Sequence, residues 1–160
     1  MDGAKKYDAD KPDMLIIPEK FWGLLSKGLM FEIVDAIRRD DIRHAFRHAF
    51  QYLAGEMGST YEAAAEIART MTHGEKTYTR ENWRLNLGTD KGLSSMRLKN
   101  AAIRHVVAWG FGEKLDVDSK YGKGSNCHHL ACCCCELLFE LHRQEAENEQ
   151  EATGWTSKKP

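Results

Sequence analysis

The sequence predicts an all-α protein: a helical bundle with an extended N-terminal arm and a disordered C-terminal tail. Three observations lead there. Apolar residues recur at helical spacing in stretches beginning near Glu19, Phe31, Thr60, Ser95 and Cys127. Ser, Thr and Gly, the residues that cap helices, stand at the borders of those stretches. No segment shows the two-residue alternation between turn signals that marks a strand.

Residues 1–18 hold two of the three prolines, alternate Lys with Asp and end in the apolar run Met14–Pro18, which suits an arm docked by its apolar end. Glu19 to Leu29 places Phe21, Leu24, Leu25 and Leu29 on one helical face. Phe31 to Met57 is helical throughout with a break near Asp40–Asp41; its stripe is Phe46, Ala49, Phe50 and Leu53, and Gly55 and Gly58 lie where a C-cap is expected. A shorter helix runs from Thr60, its expected cap, to Met71. His73-Gly74 ends it, and the irregular segment Glu75–Arg84 follows. Ser94 or Ser95 caps a helix reaching about Phe111, with Leu98, Ala101, Ala102, His105, Ala108 and Trp109 as its stripe and Arg97, Asn100 and Arg104 as its polar face. The last helix runs from about Cys127 to Glu147. Residues 1–148 are expected to be one domain and 149–160 a flexible tail.

Composition narrows the function. Charged residues make up 29% and the formal net charge is −1, so no global field favours nucleic acid. No apolar run is long enough to span a bilayer, and MDGAKKYDADKPD lacks the apolar core of a secretory signal. Four of the five cysteines are consecutive, which suits no regular disulfide framework. A reduced, cytoplasmic protein is expected.

Glu113 and Asp116 form an E-x-x-D pair, with Asp118 two residues on. On a helix the pair shares a face and can hold one hard divalent cation, Mg²⁺ or Mn²⁺; off a helix it is a solvated acidic loop after a cap at Gly112. His105 lies in an apolar stripe, where it is either a hydrogen-bonded core histidine or part of that site. His129, Cys132, Cys133 and Glu136 share a face of the last helix, since seven residues return it to within about 20° of its start. Glu140 and Arg143 extend the face, as a solvent side would, but the interleaved cysteines argue for burial. Zinc on the Cys/His cluster is disfavoured, because four successive cysteines point all round a helix. Neither a phosphate-binding G-x-x-x-x-G-K-[ST] loop nor a G-x-S-x-G elbow occurs. Arg47-His48 precedes Gly55-Glu56 at the offset by which Arg104-His105 precedes Gly112-Glu113, through either a duplicated hairpin or coincidence.

Four blocks, KYDADKPDMLIIP, GEKTYTRENWR, AAIRHVVAWGFGEKLDVDS and HHLACCCCELLFEL, together resemble the phage-type dATP/dGTP diphosphohydrolase N-terminal domain family, related to the MazG-like all-α nucleotide pyrophosphohydrolases. The resemblance implies cleavage of a (deoxy)nucleoside triphosphate, with a purine base expected, to monophosphate and pyrophosphate. For that activity the residues supply a mechanism, with Mg²⁺ or Mn²⁺ on Glu113, Asp116, Asp118, His129 and Glu136, and Glu113, Asp116 and His105 catalytic. Lys76, Arg80 and Arg104 would clamp phosphates, and Tyr78, Asn82 and Trp83 would hold the base. A homo-oligomer is implied by analogy. Departures from the family pattern are an insertion over about 22–72, a long loop between Asp118 and His129, Glu136 in place of Asn, and the lack of an E-x-x-E before Glu113. They leave room for a non-catalytic nucleotide-binding protein of the same fold, or a helical interaction protein with no nucleotide site.

Overall fold

The structure, a computed structural model, describes residues 11–17, 28–78, 84, 87–88 and 92–152 (at 29, 75–78 and 152, the backbone alone). A 3-10 turn at Met14–Ile16 precedes α1 (Leu29–Arg38), α2 (Ile42–Met57), α3 (Thr60–Tyr78), α4 (Ser95–Gly110) and α5 (His129–Ala152). Among the described residues the fold is an all-α bundle without strands; only isolated bridges pair Leu115 with His128 and Ser119 with Gly122. The helix expected over Glu19–Leu29 and the tail beyond 152 lie largely outside the described residues.

Helix boundaries follow local chemistry. The break near Asp40–Asp41 is real: Asp40 adopts a positive φ of 62° between α1 and α2. Gly58 closes α2 in the left-handed region, donating to the Ala54 carbonyl. Ser94 caps α4 by accepting from Arg97 N. The start of α3 differs from expectation, since Ser59 rather than Thr60 supplies the cap, its hydroxyl accepting from Glu62 N at 3.1 Å. Nor does that helix stop at Met71. It continues through His73-Gly74 to Tyr78, so Lys76 and Tyr78 belong to its last turns rather than to a loop. A single glycine lowers helix propensity by about 1 kcal/mol without forbidding the helix. At the other end of the chain, α5 runs five residues past Glu147, to Ala152.

The last helix is the centre of the bundle. It packs on α4, α2 and α3, while α1 packs on α2 and α4. Every residue from His128 to Leu137 is buried, so this part of α5 is enclosed all round. Cys132–Cys135 serve there as small apolar side chains, all free thiols. Burial pushes their ionisation well above the ordinary thiol range, which keeps them neutral. The face bearing Glu140 is not a solvent side: Glu140 is fully buried, accepting from Ser95 Oγ at 2.5 Å and from Arg143 Nε at 2.6 Å. Asn100 is likewise buried instead of marking a polar face, because its Oδ1 accepts the Leu15 amide of the arm at 3.0 Å. Arg38 and Arg104 donate to Leu15 O and Pro12 O, completing the docking of the arm. Among the described residues, no helix is long and apolar enough to cross a membrane.

Candidate functional site

The end of α4, the loop 111–128 and the start of α5 meet at one place, and backbone geometry fixes how. Gly112 follows the α4 C-cap at φ 102°, a region favouring glycine. Its N–H donates to Trp109 O and that of Glu113 to Ala108 O, the paired bonds of a Schellman cap. The chain then runs antiparallel to the approach to α5, with Asp116 N bonded to Cys127 O, Asn126 N to Asp116 O and His129 N to Lys114 O, each at 2.8 Å. Gly124 permits this closure, since a Cβ there would lie 2.1 Å from the Asp116 carbonyl oxygen.

Glu113 and Asp116 therefore do not share a helical face, as a helical E-x-x-D pair would; both lie in the loop beyond α4. What brings them to the site is the short antiparallel pairing. Asp116 is half-buried and held by Ser125, whose backbone N and Oγ both donate to Oδ2 at 2.9 Å. Opposite, His129 Nδ1 stands 2.9 Å from His105 Nδ1, and His129 Nε2 is 2.7 Å from Glu113 Oε1. His129 is 5% exposed and Glu113 50%, so the pair joins the core to the surface.

Ligand atoms of His105, Asp116 and His129 all lie within 4.8 Å of one another. Atoms bound about 2.1 Å from one ion sit about 3–4 Å apart, so small side-chain rotations bring the three around a divalent cation. The residues present fit a metal, with two imidazoles and a carboxylate as donors. Asp118 lies apart, its Oδ1 accepting from Gly124 N at 2.9 Å within the loop. Glu136 is buried on α5, about 10 Å along the axis from His129. Arg104 is half-buried and tied to the arm at Pro12. Of the expected nucleotide contacts, Arg80, Asn82 and Trp83 lie outside the described residues, as do the side chains of Lys76 and Tyr78.

A second pairing went unforeseen. His128 Nε2 stands 3.2 Å from Glu56 Oε1, and its Nδ1 accepts from Leu130 N at 3.0 Å. Glu56 also takes the Trp109 indole N–H, and Lys114 Nζ lies 3.9 Å away. Ser125 was not foreseen either; the only signal was its place in a Gly- and Lys-rich loop.

Fold and site define an all-α protein with a histidine–carboxylate cluster between its last two helices. Residues 60–153, more than half of the chain, match the family described as dATP/dGTP diphosphohydrolase, N-terminal, and the chain belongs to that family. The match takes in α3, α4, the loop and α5, hence every residue of the cluster, and leaves the N-terminal arm, α1 and α2 outside it. No curated protein and no solved structure matches the chain.

Proposed function

We propose that the protein is a metal-dependent nucleotide pyrophosphohydrolase that converts dATP or dGTP and water to the monophosphate and pyrophosphate. The observation carrying this reading is that the segment matching a diphosphohydrolase family contains the convergent His105–Asp116–His129 cluster. A divalent cation held there would polarise the phosphates and lower the pKa of a bound water.

The chain's own residues supply the rest. Ser125 holds Asp116 in place, and Glu113 fixes the ring of His129. The half-exposed Glu113 carboxylate is proposed to take, on its other oxygen, the proton released as water adds to the α-phosphorus. The bond from the α-phosphorus to the bridging oxygen then breaks, and pyrophosphate leaves. Lys76 and Arg80 are proposed to hold phosphates and Tyr78, Asn82 and Trp83 the base, with Arg104 beside the arm as a further cation. Cytoplasmic location, assembly into a homo-oligomer and a single domain over 1–148 belong to the same reading.

Incubating the protein with labelled dGTP or dATP and Mg²⁺ or Mn²⁺, then separating nucleotides, tests it. The expected product is the monophosphate with one pyrophosphate per turnover. Intact triphosphate bound by the protein and released on heating would instead establish the non-catalytic binder, which the missing E-x-x-E favours. A Lys76→Ala variant should weaken triphosphates more than monophosphates.

A further inference from the structure

The cluster is not the oxygen-rich site that Mg²⁺ prefers. Mg²⁺ takes oxygen ligands in near-octahedral geometry and keeps several waters, whereas imidazole nitrogens suit first-row transition ions. Here one carboxylate meets two histidines. We propose that His105, His129 and Asp116 form a site selective for a first-row transition-metal ion of the Zn²⁺, Co²⁺ or Fe²⁺ class over Mg²⁺, with Glu113 as its positioning residue. This deepens the reading above and rests on it for the location of the centre.

Three features of the geometry support it. First, His129 Nε2 points at Glu113 Oε1, 2.7 Å away, so the proton on that nitrogen is given to the carboxylate. That fixes the tautomer with a lone pair on Nδ1, and carboxylates orient metal-binding histidines in this way. Second, the lone pair faces His105 Nδ1 at 2.9 Å, a separation at which two ring nitrogens share one proton and cannot both carry one. A cation takes the place of that shared proton without any change of backbone. Third, the Ser125 bonds to Asp116 both fall on Oδ2, fixing the carboxylate while neither engages Oδ1. The site also has a dry wall: His129 is 5% exposed, and Leu130 and Ala131 beside it are fully buried.

The buried thiols one turn along α5 are the natural competitor for a soft ion. Burial holds them protonated, and a metal-bound thiol must lose its proton.

The test is Co²⁺ titration of the full chain after chelator treatment, followed by its visible absorption and by calorimetry. One Co²⁺ per chain is expected, with nitrogen–oxygen ligand-field bands and no intense thiolate charge-transfer band. Equimolar Zn²⁺ should displace it, and a thousandfold excess of Mg²⁺ should not. Asp116→Asn, a change in the loop that leaves the helices untouched, should abolish binding. Glu113→Gln should keep the spectrum but weaken binding about 10–100-fold. Displacement by Mg²⁺ near equivalence, a thiolate band, or unchanged affinity in Asp116→Asn would each overturn the proposal. Metal binding is read here without turnover. A chain that binds Co²⁺ as stated yet leaves every nucleotide intact would refute the hydrolase reading alone, and hydrolysis with Mg²⁺ as the tighter ligand would refute the ion assignment alone.

Discussion

Two histidine–glutamate pairs stand next to each other at the start of α5, built from the same residue types and differing in what their atoms have left to give. In the pair of His128 with Glu56, Nδ1 accepts from the Leu130 amide and Nε2 donates to the carboxylate. Glu56 in turn accepts the Trp109 indole, which stacks on Tyr52 at 5.7 Å. This pair ties α2 and α4 to α5. In the pair of His129 with Glu113, only Nε2 is taken by the carboxylate, while Nδ1 faces His105 in the cluster that includes Asp116. Burial does not separate the two histidines, at 6% and 5% side-chain exposure. The identity of the partners does. A histidine committed to a backbone amide and a scaffold carboxylate is structural; one whose second nitrogen meets another imidazole beside a carboxylate can exchange that contact for a cation.

The sharpest way to break the comparison is at Asp116. Asp116→Ala should reduce nucleotide hydrolysis at least about a hundredfold, as expected for a lost ligand in metal-assisted chemistry. Circular dichroism should stay near wild type, because Asp116 lies outside the helices, and Tm should fall only modestly through loss of the two Ser125 bonds. Wild-type turnover in this variant would remove the difference between the two regions.

A smaller effect is expected on the other side. Glu56→Gln weakens the bond from His128 and the contact with Trp109, and should lower stability by about 1–3 kcal/mol. Hydrolysis per folded molecule should be retained. Chemical denaturation paired with single-turnover kinetics separates these outcomes. Loss of turnover at unchanged stability would place Glu56 in the reactive centre and make the two pairs equivalent.

Much of this was legible in the sequence where short-range rules apply. The break at Asp40, the caps at Ser94 and Gly58, the turn at Gly112 and the burial of the cysteine run all follow from neighbours a few residues away. His105, Glu113, Asp116 and His129 also stood out as chemistry-bearing residues. Their arrangement did not, because it depends on a loop pairing of isolated bridges, too short to leave a strand pattern. Asn100 read as a polar-face residue and the face of Glu140 as either solvent side or buried, because their partners, Leu15 and Ser95, are 85 and 45 residues away. The repeated Arg-His…Gly-Glu offset, read as either a duplicated hairpin or coincidence, places its two glutamates differently. Gly55 lies inside α2 and Gly112 after α4, so Glu56 sits within a helix and Glu113 beyond one. The motif is not a repeated hairpin end, yet each glutamate reaches one of two adjacent histidines.

The smallest effect concerns the cysteines, which lie one turn beyond both pairs and belong, like His128, with the scaffold. Burial raises Cys133 and Cys134 above the ordinary thiol range, most directly by removing water from around them. Below about pH 9, folded and unfolded chains both hold these protons, and the thiols' contribution to stability is fully present. As pH rises further, the unfolded chain releases protons that the folded chain keeps, so stability falls by up to about 1.4 kcal/mol per pH unit for each thiol. In a Cys133→Ala, Cys134→Ala variant the share of that fall due to these two thiols is absent, leaving that of Cys132 and Cys135, while underpacking costs about 1 kcal/mol per site at neutral pH. Urea unfolding at pH 7.5 and 9.5 should therefore show the wild type ahead at the lower pH and the gap narrowing at the higher. Parallel pH dependence in the two proteins would mean that the thiols ionise in the folded state. The cysteine run would then have to be moved from the scaffold to the reactive side of the comparison.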